Sequence, residues 1–192
     1  MKITSAEFIT SVADSNMVIN DNLSQIAFVG RSNVGKSSLI NMLCNQKRLA
    51  KTSSLAGRTR LINYFKINNS FYFVDLPGYG FAKASAKEID GWQSLIEPYL
   101  IDNEKLKCVC MLVDVRHEPS EQDKVMFKFL NYYKIPSLII ATKSDKLSRA
   151  QLNKAKLVVA NGLGVGTANI VCVSNETGFG KDEVLAKIET LL

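Results

Sequence analysis

Apolar residues recur along this 192-residue chain in short unbroken runs, and every run but one is followed by a stretch with helical spacing. Six runs read as strands: "QIAFVG" (25–30), "RLINYFKI" (60–67), "SFYFVD" (70–75), "KCVCMLVDV" (107–115), "PSLIIAT" (136–142) and "NIVCVS" (169–174). "CVCMLVDV" and "SLIIA" lack polar alternation, as strands covered on both faces do. Only Asn68 and Asn69 separate the second run from the third, which makes that pair an antiparallel hairpin. The others are a helix apart and should be parallel.

Helices are expected at about 36–45, 85–97, 119–133, 148–160 and 180–191. Val184, Leu185, Ile188, Leu191 and Leu192 form a core-facing stripe in the last. Pro119 and the acids after it make a good start for the third. Pro98 is expected to end the helix containing Trp92. The pattern predicts an α/β fold of three layers: a six-stranded, mixed but mostly parallel sheet with helices on both faces. One domain spans 1–192, with a short packed extension over about 1–22.

Composition changes this picture little. Hydrophobic residues make up 46% and charged residues 22%, ordinary for a globular protein. No apolar stretch is long enough for a membrane helix, and "MKITSAEFITSVADSNMVIN" has no continuous apolar centre of a secretory signal. Cys44, Cys108, Cys110 and Cys172 form no C-x-x-C, and the single histidine, His117, lies at no zinc-ligand spacing from them. They read as buried, reduced thiols, which with the missing signal points to the cytoplasm. Net charge is +6. Between Asn45 and Arg60 lie five basic residues and no acid, a distribution compatible with an acidic partner such as RNA.

The chemistry is concentrated at strand ends. "GRSNVGKS" (30–37) matches G-x-x-x-x-G-K-[ST] and stands between an expected strand and an expected helix, the context the motif needs. Gly30 and Gly35 allow the backbone to turn its N–H groups onto phosphate oxygens at a helix N-terminus. Lys36 reaches the β- and γ-phosphates, and the Ser37 hydroxyl ligates Mg²⁺. "VDLPGYG" (74–80) ends the third strand. Asp75 sits where a Walker-B acid helps hold Mg²⁺, and Gly78 can bring its N–H to the γ-phosphate. In "ATKSD" (141–145) the Asp145 carboxylate can accept both N1–H and N2–H₂ of guanine, and the Lys143 stem can cover the base. Amides near Ser174 and Asn175, in "VCVSNETG", can reach the guanine carbonyl, although a polar turn before a helix fits that stretch almost as well.

In order and spacing these motifs resemble the translation-factor-related P-loop GTPases with a Ras-like G domain. Within that class the chain is similar to the EngB family of bacterial ribosome-associated GTPases. The resemblance is carried by "GRSNVGKSSLIN", "GRTR", "INYF", "FVDLPGYGFAK", "VDVRHEPS" and "IATKSDKL". It implies Thr59 as the switch-I threonine on Mg²⁺ beside Ser37. It also implies a nucleotide-contacting set of Gly30, Arg31, Ser32, Asn33, Val34, Gly35, Lys36 and Ser37, then Gly57, Arg58, Thr59, Arg60 and Leu61. Asp75, Leu76, Pro77 and Gly78 follow, then Thr142, Lys143, Ser144 and Asp145, and last Val173, Ser174 and Asn175. Switch I would run over about 46–60 and switch II over about 76–90.

Two departures from the Ras-like pattern change the expected chemistry. Thr142 stands where most such GTPases have asparagine, so one tether to the P-loop should be weakened. Tyr79 stands where a water-orienting glutamine would, so intrinsic hydrolysis should be slow, and no catalytic residue is assigned. In potassium-activated relatives the asparagine at position 33 binds a monovalent cation, which makes K⁺ a candidate second ion; a loop-stabilising role for Asn33 is the equal alternative. Arg116 and His117 read as structural or partner-contacting.

The family implies a monomeric GTP/GDP switch in assembly of the large ribosomal subunit or its precursor, contacting rRNA and ribosomal proteins, with a link to cell division and septation. The alternatives are a P-loop kinase of a small acceptor, or a GTP-binding module acting on division proteins without turnover.

Overall fold

The computed structural model describes residues 1–13, 19, 21–51, 61–79 and 86–192, with side chains in the first half of the helix at 86–101 excepted. Seven strands form one sheet: β1 (Ala6–Val12), β2 (Ser24–Gly30), β3 (Ile62–Ile67), β4 (Phe71–Asp75), β5 (Leu106–Asp114), β6 (Ser137–Thr142) and β7 (Ile170–Cys172), in the order β1-β3-β4-β2-β5-β6-β7. β2 pairs in parallel with β4 and β5, as β6 does with β5 and β7, whereas β3 is antiparallel to β1 and β4. The β3–β4 connection is the expected tight hairpin, with Asn68 and Asn69 both at positive φ, a region asparagine tolerates.

The sheet therefore has seven strands, not six. The additional strand, β1, lies in the stretch expected to be a mere extension. A register shift between Phe8 and Thr10 interrupts its pairing with β3. This bulge breaks the two-residue alternation by which a strand is recognised in sequence.

Five helices cover the two faces: α1 (Lys36–Leu43), α2 (Ala86–Ile101), α3 (Glu121–Tyr132), α4 (Arg149–Leu163) and α5 (Lys181–Glu189). The alternation along β5 divides the core. Cys108, Cys110 and Leu112 join Leu39, Ile40, Val184 and Ile188 on one face. Val109, Met111 and Val113 join Ile96, Tyr99, Met126, Leu130 and Val159 on the other. All four cysteines are free and buried. Pro98 does not end α2, which continues to Ile101. Leu95, Ile96, Tyr99 and Leu100, on both sides of the proline, are buried, and their packing outweighs the local cost of the missing N–H.

β2 has a parallel neighbour on each side, β4 and then β5, so successive strands are added first on one side of it and then on the other, and the sheet's switch point lies at its carboxyl end. In open α/β sheets that crevice is where ligands bind.

Candidate nucleotide-binding site

β2 delivers the chain into residues 30–35, and α1 starts directly after. The N-cap of α1 is Gly35, at φ +103°, with no capping side chain and no acid in the first turn. Its first N–H groups are thus directed at the loop without a side-chain acceptor, a cradle suited to an anion. A Cβ at Gly35 would lie 2.9 Å from the Asn175 amide nitrogen, so glycine is required for space as well as for φ.

The loop is held from outside by its carbonyls. Lys143 Nζ donates to the Asn33 carbonyl at 3.0 Å, Thr142 Oγ1 to that of Val34 at 2.7 Å, and Asn175 Nδ2 to that of Gly35 at 3.0 Å. Three consecutive carbonyls are therefore secured by side chains from the ends of β6 and β7. Thr142 does not weaken the tether between base-reading loop and P-loop; its hydroxyl lies closer to Val34 than to its other acceptor, the Val113 carbonyl at 3.1 Å. The side chain is shorter than asparagine, but the fully buried position at the end of β6 brings it within reach.

At the phosphate end Lys36 Nζ pairs with Asp75 Oδ1, and Ser37 Oγ donates to Asp75 Oδ2 at 3.2 Å. Lys36 and Asp75 side chains are 10% and 4% exposed. A hydroxyl and a carboxylate at this spacing are hard oxygen donors of the kind Mg²⁺ takes. The donor set fits Mg²⁺. Gly57, Arg58, Thr59 and Arg60 lie outside the described residues. Leu61 is exposed just before β3 and takes no part in these contacts.

After Asp75 the chain stays against the P-loop. Ser32 N donates to the Tyr79 carbonyl at 3.1 Å and Tyr79 N to the Gly30 carbonyl at 3.3 Å, forming an isolated parallel bridge. A Cβ at Gly78 would stand 3.2 Å from Ser32 N, a close approach that glycine permits. The Tyr79 ring is buried, and its hydroxyl donates to Asp123 Oδ1 at 2.9 Å. Burial, and then the Asp123 carboxylate, push the phenol well above its ordinary pKa. Tyr79 points into the α3 interface and cannot orient a water at the nucleotide. Asp123 Oδ2 meanwhile accepts from Ser120 N and Oγ in the capping box of α3.

At the base end Ser174 Oγ donates to Asp145 Oδ1 at 2.8 Å, and Lys146 pairs with Oδ2 at 2.9 Å. Lys146, then Ser174, hold the Asp145 carboxyl below its ordinary pKa. Ser144 N donates to the Val173 carbonyl, which fastens the β6 and β7 loops together. A cavity of about 760 Å³ is lined here by Asn33, Gly35, Lys143, Asp145 and Asn175, and by Asn41, Met42, Asn45, Gln46 and Lys47 from α1 and the turn after it. Asn33 exposes its side chain on the rim, and its φ of +63° suits an asparagine.

Sequence reasoning missed Asp114. At the end of β5, its Oδ2 lies 3.0 Å from Lys143 Nζ and 2.7 Å from Arg116 Nη2, while Oδ1 accepts Arg116 Nε and N. Burial opposes its charge, but Arg116 and Lys143 outweigh this and hold the carboxyl well below the ordinary carboxylate range. Its contribution to stability is complete above the unfolded value, near 4, and is lost only as pH falls below that. Lys143 itself has φ +64°, unusual for a lysine, and two partners keep its side chain in place. Arg116 is thus held against Asp114. The available signal was the i, i+2 Asp–Arg pair closing an apolar strand.

A glycine-cornered loop at the switch point, a lysine–serine–aspartate cluster beneath it and a carboxylate lining the adjoining cavity define a P-loop GTPase. Residues 25–143 match the family described as 50S ribosome-binding GTPase. A relative from Desulforamulus reducens, named as a probable GTP-binding protein EngB, is 48% identical over 194 residues, covering 100% of this chain and 95% of its own length. A Bacillus subtilis protein of the same name is 44% identical over 193 residues, covering 100% and 99%. The chain belongs to the EngB family of GTP-binding proteins. The fold agrees. The crystal structure of an EngB protein superposes with a TM-score of 0.70 at 22% identity, over 88% of this chain and 98% of that one. Era, in complex with MgGDPNP and nucleotides 1506–1542 of 16S ribosomal RNA, gives 0.67 at 23% identity, over 88% and 57%. The small-acceptor kinase reading is left without support.

If Asp114 acts on the nucleotide through Lys143, the two should not be additive. Asp114→Asn should raise the GDP dissociation rate about ten-fold, the scale of one charge-assisted hydrogen bond. In a Lys143→Ala background it should add nothing. Stopped-flow release of a fluorescent GDP gives all four rates; full additivity would show that Asp114 acts elsewhere.

Proposed function

We propose that the protein is a Mg²⁺-dependent GTP switch with slow intrinsic hydrolysis that acts in the cytoplasm on assembly of the large ribosomal subunit, with a consequent link to cell division and septation. The observation that carries the nucleotide part is the securing of the Asn33, Val34 and Gly35 carbonyls by the same two loops that present Asp145 and Ser174 to the base. A loop so held offers its N–H groups to phosphate without reorganising. The matched family's description as ribosome-binding supports the partner. Among the described residues no helix is long and apolar enough to cross a membrane.

In this reading Lys36 moves its charge onto the β- and γ-phosphates, and Ser37 and Thr59 would ligate the metal, with Asp75 supporting it as the Walker-B acid. Mg²⁺ held there would supply neutralisation of the charge that develops on the phosphates. Gly78 N–H senses the γ-phosphate. Asp145 accepts N1–H and N2–H₂ of guanine, with Ser174 and Lys146 fixing its two oxygens, while Lys143 covers the base. Ser174 and Asn175 close the pocket. Asn33 is the ligand proposed for a potassium ion. Since Tyr79 is committed to Asp123, hydrolysis depends on help from the partner. Exposed Lys47, Arg48 and Lys51, on a segment pinned by Asn41 to both backbone groups of Ala50, would meet RNA at switch I.

The test is phosphate release with and without large subunits, in potassium and in sodium salts at equal ionic strength. Stimulation by subunits of at least ten-fold is expected, greater in potassium; an unchanged rate would remove the ribosomal reading, and equal rates in the two salts the potassium one. Asp145→Asn should weaken GDP by roughly ten- to a hundred-fold and improve xanthosine diphosphate, as measured by calorimetry. Undiminished GDP affinity would refute the guanine assignment.

A further inference from the structure

The chain's positive charge is not spread evenly. From Lys124 to Asn169 there are eight basic residues and one acid, a net of +7 against +6 for the whole chain, so the remainder is slightly acidic. Much of this stretch forms α3 and α4, which touch each other and cover the same face of the sheet. Their contact is close: a Cβ at Gly162 of α4 would stand 2.9 Å from Pro119, just before α3.

Part of the charge is already satisfied. Lys124 pairs with Glu118 and Glu121, Lys143 with Asp114, and Lys146 with Asp145. Lys128, Lys134, Arg149 and Lys154 are different. All four are exposed, and among the described residues none has an acidic partner. They line no part of the nucleotide cavity.

The same two helices expose large apolar side chains: Val125 at 65%, Tyr132 at 79%, Leu157 at 53% and Val158 at 46%. Tyr133, the C-cap of α3, is 44% exposed and has its ring centroid 4.8 Å from Phe129 and 5.0 Å from Tyr132. The result is an ordered aromatic cluster bearing one ring almost wholly in water. Lys128, one helical turn before Tyr132, and Lys134, next to Tyr133, set unpaired cations beside exposed rings, and Arg149 and Lys154 add charge on the adjoining helix, a combination that suits a phosphate backbone with unstacked bases. A protein partner fits less well, since lysine is depleted at protein interfaces.

We propose that the α3–α4 face is an RNA-docking surface, with Lys128, Lys134, Arg149 and Lys154 on phosphates and Tyr132 stacking on an unpaired base. The inference rests on the ribosomal reading above and adds a second surface to the one at switch I. Because α3 and α4 are built on the sheet core and lie outside the switches, this contact does not depend on the nucleotide. It is an anchor that holds the protein on RNA while switch I reports the nucleotide state.

Sedimentation with large subunits and with protein-free rRNA, across a salt series in GDP and in a non-hydrolysable GTP analogue, tests this. A Lys128/Lys134/Lys154→Gln variant should bind at least ten-fold more weakly in both nucleotide states. Its log–log salt slope should be shallower by about 2, from three phosphates at roughly 0.7 each. Tyr132→Ala should lose about five- to a hundred-fold in affinity with the slope unchanged. GDP affinity, unaltered in both variants, reports intact folding. Parent-like affinity and slope in the charge variant would overturn the proposal, as would a loss confined to subunits with rRNA binding unchanged, which would assign the face to a ribosomal protein. A parent that binds neither particle nor RNA would instead overturn the ribosomal reading itself, and this inference with it.

Discussion

Three hydrogen bonds to consecutive P-loop carbonyls are the constraint on which the rest of the site depends. A loop that aims its N–H groups inward must turn its carbonyls outward, where donors from neighbouring loops can hold them. Lys143, Thr142 and Asn175 supply these donors, each from a loop that also carries Asp145 or Ser174. The ends of β6 and β7 therefore do two jobs with one geometry. Phosphate cradle and base pocket cannot move independently, and a ligand spanning both binds a site already in register.

The same economy appears on the switch side. Tyr79 is stitched to Gly30 and Ser32 by its backbone and to Asp123 by its hydroxyl. The residue after Gly78 is thus an anchor between the P-loop and α3. Asp123 also completes the α3 capping box, so displacing Tyr79 would disturb the start of α3. A glutamine here could reach solvent and position a water; the buried tyrosine gives up that role and gains a fixed hinge point.

Most of the fold and the four site loops were legible because each is a local pattern: an apolar run, a glycine pair, a strand-end carboxylate. What escaped was non-local. β1 was hidden by a bulge that spoiled its alternation, and α2 ran through Pro98 because residues on both sides were buried. Thr142 looked like a loss when compared with asparagine, since sequence does not show that its hydroxyl lies 2.7 Å from Val34 O. Asp114 and the Asn175 amide gained their roles only from partners 29 and 140 residues away, Lys143 and Gly35. Such pairings are set by the side-by-side order of β2, β5, β6 and β7 in the sheet, which no window of sequence contains.

The carbonyl clamp is most directly tested by calorimetric GDP affinity in Thr142→Val, Asn175→Ala and the double variant, with thermal melting of the nucleotide-free proteins alongside. Each single change should cost GDP binding about three- to ten-fold, and the double about ten- to a hundred-fold, given ~1 kcal/mol per neutral hydrogen bond. Melting temperatures should shift by only a few degrees. A double variant that holds GDP as tightly as the parent would contradict the claim that these side chains pre-form the phosphate cradle.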